Sequence, residues 1–257
     1  MSEVGYGPTE MMAVAASRVL ENKKSVFVGT GLPMIAAILA QKTHAPELLI
    51  VFESGGAGPS VPTLPLGVGD SRTFYKAAAA GSMCDVMEAC QAGYIDFGFL
   101  GGAQIDKYGN LNATCIGPYD TPKATFPGSG GGNDIGSLCW KTIATTIHEK
   151  RRFVEKLDFV TTPGYLTGPG AREAAGLPRG TGPYRVVTDL ATLGYEEETK
   201  RMTLLSVHPG VKVEQVVENT GFELVIPKKV STSDPPTVEQ LTLLRKEIDP
   251  KGIYIKQ

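Results

Sequence analysis

The sequence predicts an α/β protein, a three-layer α/β/α arrangement with a mostly parallel sheet, on three observations. Leu48-Leu49-Ile50-Val51-Phe52 is an uninterrupted apolar run closed by glycines, which reads as a strand buried on both faces. Ahead of it, Ser25-Val26-Phe27-Val28, then Gly29-Thr30-Gly31-Leu32-Pro33, then helical spacing from Met34 to Lys42 give a β-α-β opening. Beyond it, helix-like and strand-like segments continue without an internal repeat or a linker, so residues 1–257 are expected to form a single domain. A chain of 257 residues buries a substantial core, and its 31 glycines and 18 prolines suit a loop-rich enzyme better than a bundle.

In chain order, Thr9 is the expected N-cap of a first helix that ends near Asn22. The Gly29–Pro33 turn leads into a second helix whose N-terminus can receive an anion. The buried strand 48–52 then delivers Glu53 to its C-terminal mouth, the edge where open α/β sheets bind ligands. Residues 54–73 carry many Gly and Pro and little periodicity, as a functional loop would. Ser82 to Ala92 reads as a helix with Met83, Val86, Met87 and Cys90 on one face, a core-facing stripe. Tyr94 to Leu100 is a strand running into Gly101-Gly102-Ala103, and Asp106 to Asn110 is a tight turn. Phe126-Pro127-Gly128-Ser129-Gly130-Gly131-Gly132-Asn133-Asp134 offers backbone N–H groups and no bulk, as expected where the chain passes an extended ligand. Thr142 to Ile147 is a strand entering His148-Glu149-Lys150-Arg151-Arg152, a basic patch open to a phosphate or simply to solvent. Residues 161–183 read as irregular. Tyr184 to Thr188 and Met202 to Val207 are strands, Val213 to Asn219 a short helix ended by Gly221, and Val238 to Ile248 a C-terminal helix.

Composition removes several function classes. A net charge of −2 gives no electrostatic footprint for nucleic acid. Cys84, Cys90, Cys115 and Cys139 form no CxxC pair and have no His at ligand spacing, so neither a metal site nor a disulfide framework is expected. Reduced thiols fit a cytoplasmic protein. The N-terminus, with Glu3 and Glu10 and no basic region before an apolar core, does not read as a signal peptide, and no apolar run approaches the ~18 residues of a membrane span.

Gly29-x-Gly31 followed by Glu53 imitates a dinucleotide-binding fingerprint, but Met34 stands where the third glycine is needed, with Pro33 before it. No Gly-x-Ser-x-Gly elbow supports a serine hydrolase. The chemistry that remains is a carboxylate nucleophile. An ionised, fixed and partly dehydrated carboxylate attacks a thioester carbonyl, provided that donors within ~3 Å meet the oxyanion. Glu53 and the amides of Gly101-Gly102-Ala103 allow that arrangement.

At these residues the chain resembles the β subunits of the family I CoA-transferases, glutaconate type, over nearly its whole length. The resemblance is carried by Val28-Gly29-Thr30-Gly31-Leu32-Pro33, Val51-Phe52-Glu53-Ser54-Gly55, Gly101-Gly102-Ala103-Gln104-Ile105-Asp106 and Phe126-Pro127-Gly128-Ser129-Gly130-Gly131. His148-Glu149-Lys150-Arg151-Arg152-Phe153, Gly168-Pro169-Gly170-Ala171-Arg172-Glu173 and Glu218-Asn219-Thr220-Gly221-Phe222 add to it. It implies Glu53 as nucleophile in a ping-pong reaction through a glutamyl-CoA thioester, with the backbone of Gly102 and Ala103 as oxyanion donors. It implies that Gly29, Gly31 and Pro33 face the nucleophile, that Ser54 and Gly55 follow it, and that Gly128, Gly130, Gly131, Gly132 and Asn133 line the pantetheine arm. CoA and acyl-CoA are then substrates, no further cofactor is implied, and the partner is a separately encoded α subunit in an α2β2 or larger assembly. The fold also hosts acyl-CoA decarboxylases and ring-cleaving hydrolases that have lost the glutamate. Retention of Glu53 favours transfer; acyl-CoA hydrolysis or decarboxylation is the alternative, and a non-catalytic ligand-binding subunit a second one.

Overall fold

A computed structural model describes residues 5–255, so that Glu3 lies outside the described residues. Where one domain is expected for residues 1–257, the chain's contacts divide into two compact units, residues 1–99 with 234–257, and residues 100–233.

The first unit opens with α1 (Pro8–Ser17). Its N-cap is Gly7 rather than Thr9, because Pro8 takes the first helical position, where a missing N–H costs nothing. Glu10 then reaches back to accept the Gly7 N–H at 2.9 Å. Strand β1 (Ser25–Val28), helix α2 (Leu32–Lys42) and strand β2 (Leu49–Phe52) form the predicted parallel β-α-β unit. β1 and β2 pair in register from Ser25↔Leu49 to Val28↔Phe52. Short strands β3 (Gly56–Ala57) and β4 (Ala79–Ala80) add an antiparallel edge beyond β2. Helix α3 (Met83–Gln91) is capped by Ser82 and turns Val86 and Cys90 inward while Met83 stays exposed. β5 (Phe97–Leu100) returns parallel to β1 on its other side. The pairing is fixed at its start by Asp96, which accepts the Ser25 N–H at 2.9 Å and the Lys24 ammonium at 2.9 Å.

The second unit begins with two small hairpins, β6 (Gln104–Ile105) with β7 (Leu111–Asn112), and β8 (Cys115–Ile116) with β9 (Ala124–Thr125). Helix α4 (Gly132–Leu138) leads to β10 (Lys141–Thr145), then comes the short α5 (Ala171–Ala174). β11 (Pro183–Val187) is parallel to β10, while β12 (Ala191–Tyr195) and β13 (Met202–Val207) extend the sheet antiparallel. After α6 (Val213–Glu218), β14 (Ser231–Thr232) pairs parallel to β13. Back in the first unit, α7 (Val238–Thr242) gives way to a π-helical turn, Leu243–Ile248. Arg245 of that turn donates to the buried Glu10 carboxylate at 2.6 and 2.8 Å and so ties the two ends of the unit together. The predicted α/β fold is present, with parallel pairing of β1 to β2 and β5 in the first unit and of β10 to β11 and β13 to β14 in the second. Among the described residues no helix is long and apolar enough to cross a membrane.

The irregular stretch 161–183 is organised by one side chain. Arg172 is 2% exposed, and its guanidinium donates to the carbonyls of Pro163 (3.1 Å), Gly164 (2.8 Å), Gly136 (3.1 Å) and Ser137 (3.2 Å) and to Thr181 Oγ1 (2.8 Å). Burial pushes its pKa down, yet an arginine holds its proton and the planar fork suits several carbonyls at once. Loop backbone that has no ladder to join thus finds its donors in Arg172. The Arg172→Met variant leaves these carbonyls buried without it and is expected to lose about 4 kcal/mol in urea denaturation. Arg172→Lys, with a point charge in place of the fork, should recover little of that loss.

Candidate active site

In-register pairing of β1 with β2 sets the geometry of this site. Val28 lies opposite Phe52, so Gly29 and Glu53 leave the sheet side by side at its carboxyl edge. Glu53 is half-buried in the turn after β2. Gly31 caps α2 with φ +92°, a conformation that disfavours any residue with a Cβ. Helix α2 starts at the next residue and has Pro33 in its first turn. Its positive dipole end therefore lies at the same edge as the carboxylate and favours negative charge there. Gly29, Gly31, Pro33, Glu53, Ser54 and Gly55, all predicted from sequence, come together in this first unit.

The glycines here are of two kinds. Gly55 has φ +115°, and a Cβ on it would lie 2.2 Å from the Gly81 carbonyl oxygen; one on Gly56 would lie 2.0 Å from that of Thr73. Their missing side chains make room for the protein's own backbone. Gly29 differs, because a Cβ there would meet no atom within 4 Å among the described residues. Thr73, fully buried, accompanies the close approach: its Oγ1 lies 3.0 Å from Ser54 Oγ, next to Glu53 in sequence. Nothing in the sequence of the 54–73 loop singles Thr73 out, because its role comes from the approach of two backbones.

In the second unit the predicted loops converge on Asn112 and Ala113. The Ala103 N–H donates to the Asn112 carbonyl at 2.7 Å, and the Gly128 N–H to the Ala113 carbonyl at 2.9 Å. Asn112 Nδ2 in turn donates to Gln104 Oε1 and to the Cys115 carbonyl, both at 2.7 Å. Thr161 completes the junction: its Oγ1 accepts the Ala113 N–H at 2.8 Å and its carbonyl takes Asn133 Nδ2 at 3.1 Å. Gly132 donates to the Ser129 carbonyl (2.8 Å) and the Asn133 N–H to Ser129 Oγ (2.9 Å). The Ala103 amide is thus committed to the β6–β7 ladder, a correction to its expected use as an oxyanion donor beside Gly102.

Of the two readings of the basic patch, the structure matches solvent for its arginines and buries its histidine. His148 is 3% exposed, stacked on Phe153 with ring centroids 4.0 Å apart, with Nδ1 3.1 Å from Thr188 Oγ1 and Nε2 3.0 Å from Thr220 Oγ1. Burial brings its pKa down to about 4, so at neutral pH the ring is uncharged and bridges two threonines as one donor and one acceptor. Arg151 pairs with Glu149 at 2.5 Å, and Arg152 lies 3.7 Å from the same carboxylate. What remains is a solvated ion-pair cluster over a buried histidine.

A parallel β-α-β unit with a carboxylate at its carboxyl edge gives the first unit the ligand-binding edge of an α/β enzyme. The chain belongs to the Coenzyme A transferase family, whose model it matches over residues 9–219. It is 42% identical to the β subunit of the glutaconate CoA-transferase of Acidaminococcus fermentans, over 98% of this chain and 96% of that one. It is 39% identical to the β subunit of the 3-oxoadipate CoA-transferase of Pseudomonas knackmussii, over 93% and 92% of the two chains. The crystal structure of the Acidaminococcus fermentans glutaconate coenzyme A-transferase superposes with a TM-score of 0.94 at 41% identity, covering 98% of each chain.

Gly55→Ala forces a side chain against the Gly81 carbonyl and into a left-handed backbone, so a loss of about 3 kcal/mol or more is expected in chemical denaturation. For His148, the unfolded chain binds a proton near pH 6.5, while the folded protein resists it down to about 4. Stability present above the unfolded value is lost as the pH falls through this window, by about 3 kcal/mol in all. His148→Gln, less stable at neutral pH, should lose correspondingly less than the native protein between pH 7 and 4.

Proposed function

We propose that this chain is the β subunit of a heteromeric, cytoplasmic, glutaconate-type CoA-transferase that moves CoA between an acyl-CoA and a free carboxylate. A separately encoded α subunit completes an α2β2 or larger assembly, as the naming of the relatives as subunits suggests. Glu53 is the covalent nucleophile. The observation that carries this reading is the position of Glu53, half-buried at the carboxyl end of β2 and level with the glycine turn that opens α2.

On this reading the reaction runs through the Glu53 carboxylate. A Glu53 oxygen attacks the thioester carbonyl, the C–S bond breaks, and CoA leaves as a thiolate from an acyl-glutamyl anhydride. The thiolate attacks the glutamyl carbonyl of the anhydride, which releases the first carboxylate and leaves CoA as a thioester on Glu53. An incoming carboxylate reverses the sequence: it attacks the glutamyl thioester, expels the thiolate, and passes its own acyl carbon to CoA while Glu53 is regenerated. No proton is consumed and no water enters, so a partly dehydrated carboxylate serves better than an exposed one. The α2 dipole stabilises charge as it moves among carboxylate, oxyanion and thiolate. Binding energy from the CoA arm, remote from the reacting carbonyl, is available to reach the anhydride transition states.

The test uses the complex co-expressed with its partner. Incubated with glutaconyl-CoA or 3-oxoadipyl-CoA and no acceptor, then reduced with borohydride, it should carry the modification on Glu53, as mapped by mass spectrometry. Glu53→Gln should lose at least about a thousandfold in kcat, and Glu53→Asp, which draws the nucleophile back by a methylene, about a hundredfold. A Glu53→Gln complex with full transferase activity, or a native complex without an adduct at Glu53, would sink the mechanism.

A further inference from the structure

The last described residues are folded back by one buried carboxylate. Asp249, 2% exposed, accepts the Ile253 N–H on Oδ1 and the Tyr254 and Ile255 N–H groups on Oδ2, each at 2.8 Å. Three charge-assisted bonds to backbone fix this turn and with it the direction of the Tyr254 side chain. The Tyr254 ring lies against the turn after β1, with Cδ1 and Cε1 each 3.9 Å from where a Gly31 Cβ would be. Its hydroxyl donates to the Pro65 carbonyl at 2.9 Å, in the middle of the Gly- and Pro-rich loop after β2. One side chain therefore joins both segments that leave the sheet beside Glu53.

The loop needs that tie. Between Pro59 and Thr73 it has no strand or α-helix of its own, only a 3-10 turn at Ser71–Phe74, and free loops of this length are costly to order. Its far end is held at Ser54 through Thr73, and Arg72 pairs with Asp70 and donates to Thr63 Oγ1 at 3.1 Å. Those contacts stay within the loop and its base, whereas Tyr254 anchors the loop's middle, at Pro65, to the C-terminal turn.

Resting on the reading of Glu53 as the nucleophile, we propose that Tyr254 is a positioning residue for it. Tyr254 acts through both contacts, the ring on Gly31 and the hydroxyl on Pro65, and it holds the two walls of the Glu53 mouth in the geometry that attack requires. It contributes no group to the bonds that form or break.

The experiment compares native, Tyr254→Phe and Tyr254→Ala complexes, each co-expressed with the partner subunit. The rate of adduct formation on Glu53 without acceptor is measured beside kcat and KM for the acyl-CoA, well below each variant's unfolding temperature. Tyr254→Ala should slow adduct formation and kcat by about 10-fold to 100-fold with KM within about twofold of native, the pattern of a misplaced nucleophile. Tyr254→Phe, which keeps the ring and loses the hydroxyl, should fall about fivefold, the loss expected from one neutral hydrogen bond. Adduct formation at the native rate in Tyr254→Phe overturns the proposal, and so does a rise in KM with kcat unchanged in either variant. If Tyr254→Ala does not assemble, Tyr254→Phe alone decides. A native complex that forms no adduct at Glu53 refutes the nucleophile reading instead, so the two failures are distinguishable.

Discussion

The parallel register of β1 on β2 is the constraint on which the first unit depends. Because Val28 sits opposite Phe52, the chain leaves both strands at the same level, once into a glycine turn and once into Glu53. A slip of one residue would exchange the faces of every side chain on β2 and undo the packing of its buried residues. Ile50, Val51 and Phe52 are all buried, and Asp96 clamps the start of β1 from the side of β5. The point at which the chain delivers the carboxylate from the sheet is thus a consequence of core packing.

Much of this was legible in the sequence because local pattern and tertiary role agree there. Strands β1, β2 and β13 and helices α2 and α3 fall within a few residues of where periodicity and caps put them, as Ser82 does for α3. Disagreement appears where a close approach overrides propensity. β12 contains Gly194, which breaks its alternation; a Cβ there would meet Leu205 Cδ1 at 2.8 Å. α4 contains Gly136, which lowers helix propensity; a Cβ there would meet Thr162 Cγ2 at 2.2 Å. In both cases the neighbour that a side chain would meet comes from another segment, tightly so at Gly136, and no single-sequence pattern announces it. The C-terminal helix departs for another reason, widening after Thr242 into a π turn that carries Arg245 toward Glu10.

At the candidate site the sequence places residues more readily than it assigns what their side chains do. Glu53 stands out as one charge ending an apolar run, a contrast that survives in the structure. Glycine is a weaker signal because it serves opposite ends. At Gly29 the absent side chain leaves open space, while at Gly55 and Gly56 it is filled by the carbonyls of Gly81 and Thr73. His148 shows the same ambiguity for charge: in sequence it heads a basic run, in the fold it is a neutral bridge between Thr188 and Thr220.

Counting glycines also overstates the donors a loop can offer. Of the amides in the second unit's glycine segments, Ala103 serves Asn112, Gly128 serves Ala113 and Gly132 serves Ser129. Each bond makes its loop stiffer and removes a donor from any ligand, because an amide has one proton to give. The trade exchanges number of donors for fixed geometry: an unattached glycine loop would have many donors and no defined direction for any of them, whereas a bonded one holds those that remain still. The Asn112–Ala113 junction, with Thr161 behind it, supplies the stiffness. The same logic accounts for the first unit, where Thr73 and Asp249 hold backbone in place, and where Glu53 stands at the end of a strand locked into the core.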